Sequence, residues 1–237
     1  FCDVPSSFQW SSTGPIISPK SPPGHDFVSI KDPTIVHYDG KYHVFATVYD
    51  DATGSEGYRS VYLNFTDFSQ ADAAPQTYMG SWATGSTVAP QVLYFRPHNQ
   101  WYLIYQWYAR YSTNADINNP SGWSAPQRLL TGEPSGALDF WVICSDTHCY
   151  LFFSADDGNL YLSKTTIESF PNFNGYEIIM SDSVGRLFEA SNVYKLAGRS
   201  VRATLFPLLD RDQPRRPVDA AGRHPAGPLR GRSQRHV

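Results

Sequence analysis

Three carboxylates stand at matching places in a repeated pattern: Asp32, Asp139 and Glu189. Each opens a run that reads as an apolar strand, a tight turn and a returning strand. The first run is Asp32-Pro-Thr-Ile-Val-His-Tyr-Asp39-Gly40, returning through Tyr42-His-Val-Phe45. The third is Asp139-Phe-Trp-Val-Ile-Cys144, turning at Asp146-Thr147 and returning through Tyr150-Leu-Phe-Phe153. The second copy begins with Ala89-Pro90-Gln91, a methyl where the others carry an acid, and returns through Trp101-Tyr-Leu-Ile-Tyr105. The fourth runs from Glu189 to Gly198. Starts at 32, 89, 139 and 189 give spacings of 57, 50 and 50 residues. Like charges brought together raise the pKa of at least one of them. The raised carboxyl can then serve as a general acid while a second stays ionised as a base. A lone acid at a strand start more often caps a turn. Three in register favour a site.

Register has meaning only if the repeats stack about a common axis. Further strand candidates lie between the hairpins, at Ser60–Phe65, Gln127–Leu130, Leu160–Lys164 and Glu177–Met180. Two hairpins per ~50 residues is the content of a four-stranded propeller blade. No segment reads as an amphipathic helix, and Thr166–Phe170 makes at most one turn. The fold class is therefore all-β and of propeller type. A sandwich of short strands leaves the 50-residue period unexplained. In a propeller the first strand of each blade lines a central channel, so the three acids would ring its mouth.

Composition sets the outer bounds. Of 237 residues, 41% are hydrophobic, enough for a real core, while only 17% are charged and 15% are aromatic. No apolar run approaches the ~20 residues of a membrane span. Residues 1–196 hold ten Lys and Arg against nineteen Asp and Glu, a net of −9; residues 197–237 hold nine Arg and three Asp, a net of +6. With no basic stripe before the break, nucleic acid is not the expected partner. Of 35 aromatics only Phe206 follows residue 196, among five Pro and four Gly. A β-propeller domain over 1–196 and an Arg/Pro-rich tail over 197–237, disordered or out of frame, are the expected parts. Cys144 and Cys149 face each other across a hairpin, within disulfide reach, which leaves Cys2 over. The disulfide, together with the Asn64-Phe65-Thr66 sequon, predicts a secreted, extracellular protein.

Residues Ser29-Ile-Lys31-Asp32-Pro33-Thr34, Ala89-Pro-Gln91, Asp139-Phe-Trp-Val-Ile-Cys144 and Leu187-Phe-Glu189-Ala-Ser-Asn192-Val-Tyr-Lys195 resemble glycoside hydrolase family 62. So does the opening Ser6-Ser-Phe-Gln-Trp10-Ser-Ser-Thr-Gly-Pro15. The resemblance runs from about Cys2 to Leu196. It implies a five-bladed propeller that removes α-L-arabinofuranosyl branches from arabinoxylan with inversion, and a monomer. By that resemblance Asp32 is the general base, Glu189 the general acid, and Asp139 tunes the acid and holds the sugar. Lys31, Gln106 and Asn192 are candidate substrate contacts, with a solvated lysine and a structural glutamine hydrogen bond as the alternatives for the first two. Trp107, Tyr108, Tyr111 and Trp123 are candidates for stacking on sugar C–H faces, against the core role that most aromatics of a β-rich protein have. No cofactor is implied. A structural calcium is compatible with the sequence but finds no support in it; separately, His25, His37, His43, His98 and His148 show no metal-ligand spacing.

The chain also departs from that pattern. Five blades need about 250 residues, and after Gly198 the sequence reads Arg199-Ser-Val-Arg-Ala-Thr204 where an aromatic strand is expected. The family's late cysteine that would pair with Cys2 is missing. An unclosed propeller leaves sheet edges bare. Little arabinose release is therefore expected from these 237 residues. A carbohydrate-binding propeller without turnover and a related propeller glycosidase are the alternatives.

Overall fold

The computed structural model describes residues 11–54, 56–80, 87–187, 189, 192–194 and the backbone of 202–204. Contacts divide the chain into two units, 1–207 and 208–237, and every described residue belongs to the first. Cys2 and the tail beyond residue 204 lie outside the described residues.

Three four-stranded antiparallel sheets follow one another in chain order. Sheet I holds β1 (Phe27–Tyr38), β2 (Lys41–Asp50), β3 (Gly57–Phe65) and β4 (Thr77–Tyr78). Sheet II holds β5 (Val88–Phe95), β6 (Gln100–Gln106), β7 (Arg110–Asn114) and β8 (Gln127–Arg128). A short parallel pair, β9 (Leu130–Thr131) with β13 (Phe173–Asn174), ties the end of sheet II to the loops of the next sheet. Sheet III holds β10 (Leu138–Cys144), β11 (His148–Ser154), β12 (Asn159–Thr166) and β14 (Glu177–Ser181). A last pair, β15 (Asn192–Tyr194) with β16 (Arg202–Thr204), starts a fourth repeat. That pairing carries regular structure past the composition break at residue 196. The segment 199–204, read as lacking its strand, thus supplies β16 although it lacks the aromatic residues. The all-β expectation and the strand candidates of the first three repeats agree with these sheets.

The second strand of each sheet is buried on both faces over most of its length, which explains the apolar runs of β6 and β11. In β6, Trp101, Leu103 and Tyr105 face a core shared with Phe45, Tyr62 and Met79 of sheet I. The alternate residues Tyr102 and Ile104 face a second core with Phe140, Leu151 and Phe153 of sheet III. Side chains on a strand alternate between faces, so one strand serves two interfaces. In β11, likewise, Phe152 turns to a third cluster that holds Val193 of β15. The sheets are therefore joined by their first and second strands: β5 packs on β1 and β2, β10 on β5 and β6, and β15 on β10.

Polar side chains staple these junctions. Val92 N–H donates to Thr34 Oγ1 at 3.3 Å, from sheet II to sheet I. Gln91 makes a two-way bond with sheet III: its Nε2 donates to the Val142 carbonyl at 2.8 Å, and Val142 N–H donates to its Oε1 at 2.6 Å. Trp141 Nε1 donates to the Val193 carbonyl at 2.8 Å. Thr34, Gln91 and Trp141 each stand two residues after the start of their repeat, so one register position reaches forward at every junction. The hairpin between β10 and β11 is closed by the expected Cys144–Cys149 disulfide. Asn64 of the sequon lies in β3, where its Nδ2 donates to Tyr62 Oη at 3.1 Å.

Gln91 is 5% exposed, and its loss leaves two buried backbone groups without partners. Gln91→Leu should therefore cost about 2–4 kcal/mol of unfolding free energy. Thr34→Val, which breaks one long bond, should cost about 1 kcal/mol. Urea melts followed by tryptophan fluorescence will rank the two, and equal losses would contradict the staple.

Candidate active site

The first strand of each sheet carries a bulge at the repeat's start. Pairing in β1 steps from Lys31↔Thr47 to Thr34↔Phe45, so Asp32 and Pro33 together oppose Ala46. In β5 it steps from Val88↔Gln106 to Gln91↔Ile104, and Ala89-Pro90 opposes Tyr105. In β10 it steps from Leu138↔Ser154 to Trp141↔Phe152, and Asp139-Phe140 opposes Phe153. The first residue of every bulge is left-handed: φ is 48° at Asp32, 45° at Ala89 and 55° at Asp139. Aspartate tolerates this region better than most side chains. Proline as the second bulge residue has no N–H to leave unpaired. A bulge re-aims one side chain out of the strand's alternation. That is how an acid at a strand start reaches a shared cavity.

The cavity measures ≈ 100 Å³ and is lined by Asp32, Pro33, Ala89, Pro90, Asp139, Phe140, Trp141 and Asn192. All three bulges thus open onto one space, and three of the predicted site residues line it. Glu189 is not part of that lining, but its carboxyl feels Asp139, Asp156, Lys31 and Asp32. Partial burial of the carboxyl, then the charges of Asp139 and Asp156, push its pKa up to about 7, with Lys31 opposing and Asp32 adding to the rise. The residue as a whole keeps solvent contact, and the like charges add to a rise that desolvation leads.

Lys31 Nζ lies 3.4 Å from Asp32 Oδ2 and 5.0 Å from the centre of the Tyr58 ring. Burial pulls its ammonium down, but Asp32, Tyr58 and Glu189 outweigh that and hold it above the ordinary lysine value. It remains a cation beside the acids. Gln106 is placed differently from a free sugar contact: its Oε1 accepts the backbone N–H of Asp139 at 2.9 Å. Trp107 and Tyr108, the next two residues, are 54% and 61% exposed, and the Arg110 guanidinium lies over the Tyr108 ring, 5.6 Å from its centre. Tyr111 and Trp123 are both buried, Trp123 against Phe45 and Tyr111 against Tyr102, because alternation turns Tyr111 into the core between sheets II and III.

Asp156 is the residue that sequence reasoning missed. It stands in the turn between β11 and β12 at φ 54° and reads there as an ordinary Asp-Asp-Gly turn residue. Only folding brings its charge to Glu189. Among the described residues no group of three or more His, Cys, Asp or Glu is arranged to hold a metal ion, and no helix is long and apolar enough to cross a membrane.

An all-β repeat that brings two bulge carboxylates to one cavity, with a third carboxyl of raised pKa in their field, is an arrangement of the kind that glycoside hydrolases use. Residues 9–206 match glycosyl hydrolase family 62, and the chain belongs to that family. It is 58% identical over 203 residues to α-L-arabinofuranosidase C of Cellvibrio japonicus (strain Ueda107), across 84% of this chain and 31% of that protein. The catalytic domain of a Coprinopsis cinerea family 62 α-L-arabinofuranosidase superposes with a TM-score of 0.77 at 47% identity, over 83% of this chain and 65% of that one. A family 62 hydrolase solved with xylotriose superposes at 0.75 with 41% identity, over 82% and 64%. The chain thus spans about a third of the curated relative and just under two thirds of each solved domain.

The raised Glu189 carboxyl has a stability consequence. Its folded pKa of about 7 lies above the ordinary 4.5, so the folded state binds more protons between those values. Stability from this group is present below about pH 4.5 and is lost as pH rises through about 7. Glu189→Gln should therefore raise Tm at pH 7.5 by about 1–3 °C and change it little at pH 4.5. Differential scanning calorimetry at the two pH values measures this, and a loss of stability at pH 7.5 would contradict the assigned environment.

Proposed function

We propose that this chain carries the acid–base machinery of an inverting α-L-arabinofuranosidase that takes arabinofuranosyl side chains from arabinoxylan. The observation that supports the reading is the bulge register, with Asp32 and Asp139 on one cavity and the charges of both acting on Glu189. Glu189, half-protonated near pH 7, is the general acid that gives its proton to the departing xylan oxygen. Asp32 is the general base that draws a proton from the attacking water. Asp139 keeps the acid's proton on by its like charge and holds the sugar. Inversion asks for an acid and base ~6.5–9.5 Å apart with a water between them, which residues on different sheets can supply.

Substrate class follows from the scale of the site. A cavity of ≈ 100 Å³ is small beside the ~300–1,000 Å³ of pockets for drug-sized ligands. It suits one five-membered sugar ring rather than a length of polymer, so the polymer lies outside and the branch enters. Lys31 and the cavity-lining Asn192, together with the exposed Trp107 and Tyr108, are the contacts proposed for the branch and its xylan backbone. The wider architecture in this reading is a five-bladed propeller, with sheets I to III as blades and β15–β16 as the inner pair of a fourth. The protein acts outside the cell as a monomer and needs no cofactor. A carbohydrate-binding role without turnover gains nothing from an acid held at pKa about 7, so catalysis is the reading the site favours.

Wheat arabinoxylan incubated with the chain should yield L-arabinose and no xylo-oligosaccharide. Long incubations suit the low rate expected from the sequence. Release should fall as pH rises through about 7, where Glu189 loses its proton. Glu189→Gln and Asp32→Asn should each reduce release by at least ~10²-fold, measured by anion-exchange chromatography. Arabinose release that survives Glu189→Gln would remove the acid from the mechanism.

A further inference from the structure

Resting on the reading of Glu189 as the acid, we propose that Gln106 is a positioning residue that holds the Asp139 bulge and so fixes how the Asp139 carboxylate faces Glu189. The first support is the geometry of the junction. A bulge residue has no ladder partner for its amide, and at Asp139 that amide is taken by Gln106 Oε1 from the neighbouring sheet. Gln106 is the last residue paired to β5 before the β5 bulge.

The second support is an internal comparison. Thr47 holds the same register place in sheet I, paired to Lys31 just before the β1 bulge. Its Oγ1 accepts the N–H of Ala89 at 2.8 Å. The same bond therefore clamps the start of the next repeat at two successive junctions. At the first junction the clamped residue carries a methyl, and at the second a carboxylate. The fold needs the clamp at both places, but only at the second does it bear on chemistry. Strand β10 is separately anchored by Gln91 on Val142, so Gln106 governs the bulge more than the strand.

Among the described residues, the groups whose charges act on Glu189 are Asp139 on β10, Asp156 in the β11–β12 turn, and Asp32 with Lys31 on β1. Of these, Gln106 reaches only Asp139. Releasing the bulge lets one like charge relax away while the other three groups stay, so Glu189 should give up its proton more readily.

The test is a titration of Glu189 by carboxyl ¹³C NMR in the 237-residue chain, which needs no turnover. Gln106→Met keeps length and removes the acceptor oxygen, and should lower the Glu189 midpoint by about half a unit or more. Gln106→Glu keeps an acceptor and adds a negative charge, and should leave the midpoint unchanged or raised. Thr47→Val breaks the equivalent clamp at Ala89, and should lower Tm without moving the midpoint. If Gln106→Met leaves the midpoint in place or raises it, Gln106 is a strut like Thr47 and the proposal falls. Should Gln106→Met fail to fold, a lowered midpoint in Gln106→Glu overturns the proposal by itself. Arabinose release that survives Glu189→Gln, in a chain that shows the Gln106→Met shift, would defeat the acid reading while leaving the positioning role intact. The opposite pattern would do the reverse.

Discussion

Everything at this site depends on side chains that hydrogen-bond across sheet junctions to the backbone of the next repeat. Four-stranded sheets packed face to face through apolar side chains alone could slide, since hydrophobic burial has no direction. A hydrogen bond to a named amide cannot slide without being broken, and in a buried junction the broken amide is costly. Thr34, Gln91 and Trp141 fix the strands; Thr47 and Gln106 fix the bulges. Precision at the cavity is inherited from those bonds.

The bulge turns this framework into chemistry. A regular strand would alternate its side chains, and an acid at its start would point into an interface core or away from the cavity. One extra residue at a left-handed φ breaks the alternation once per sheet, and the break comes at the same place each time. The carboxylates are thereby made neighbours although more than 100 residues separate Asp32 from Asp139. Their mutual repulsion is a cost to the fold, offset by the cores on either side of β6 and β11. It is also what lets one carboxyl keep a proton near neutrality.

Residues 9–206 match family 62, and the fold is shared with solved arabinofuranosidase domains. The four groups around Glu189 come from two sheets and a turn, so no single strand carries the acid's environment. Ala89 shows the economy of the repeat: it keeps the bulge and the clamp while contributing no charge.

Much of this was legible in the residues themselves. The 50-residue period exposed the repeated sheets, because each must spell out its own apolar strands and turns. Asp32 and Asp139 stood out because a repeat places equivalent residues in equivalent surroundings, and the Cys144–Cys149 bridge followed from two strands meeting at a tight turn. Other features depend on contacts between repeats, which leave no local mark. Gln106 suits a sugar contact and a structural hydrogen bond equally by sequence, since nothing nearby in the chain reveals the Asp139 amide it accepts. Tyr111 and Trp123 suit stacking less well than a core, and packing assigns both to cores. Asp156 read as a turn residue, and its influence on Glu189 arises from distance in space alone. Local periodicity is written along the chain; the charge environment of a carboxyl is a sum over elements that only tertiary structure brings together.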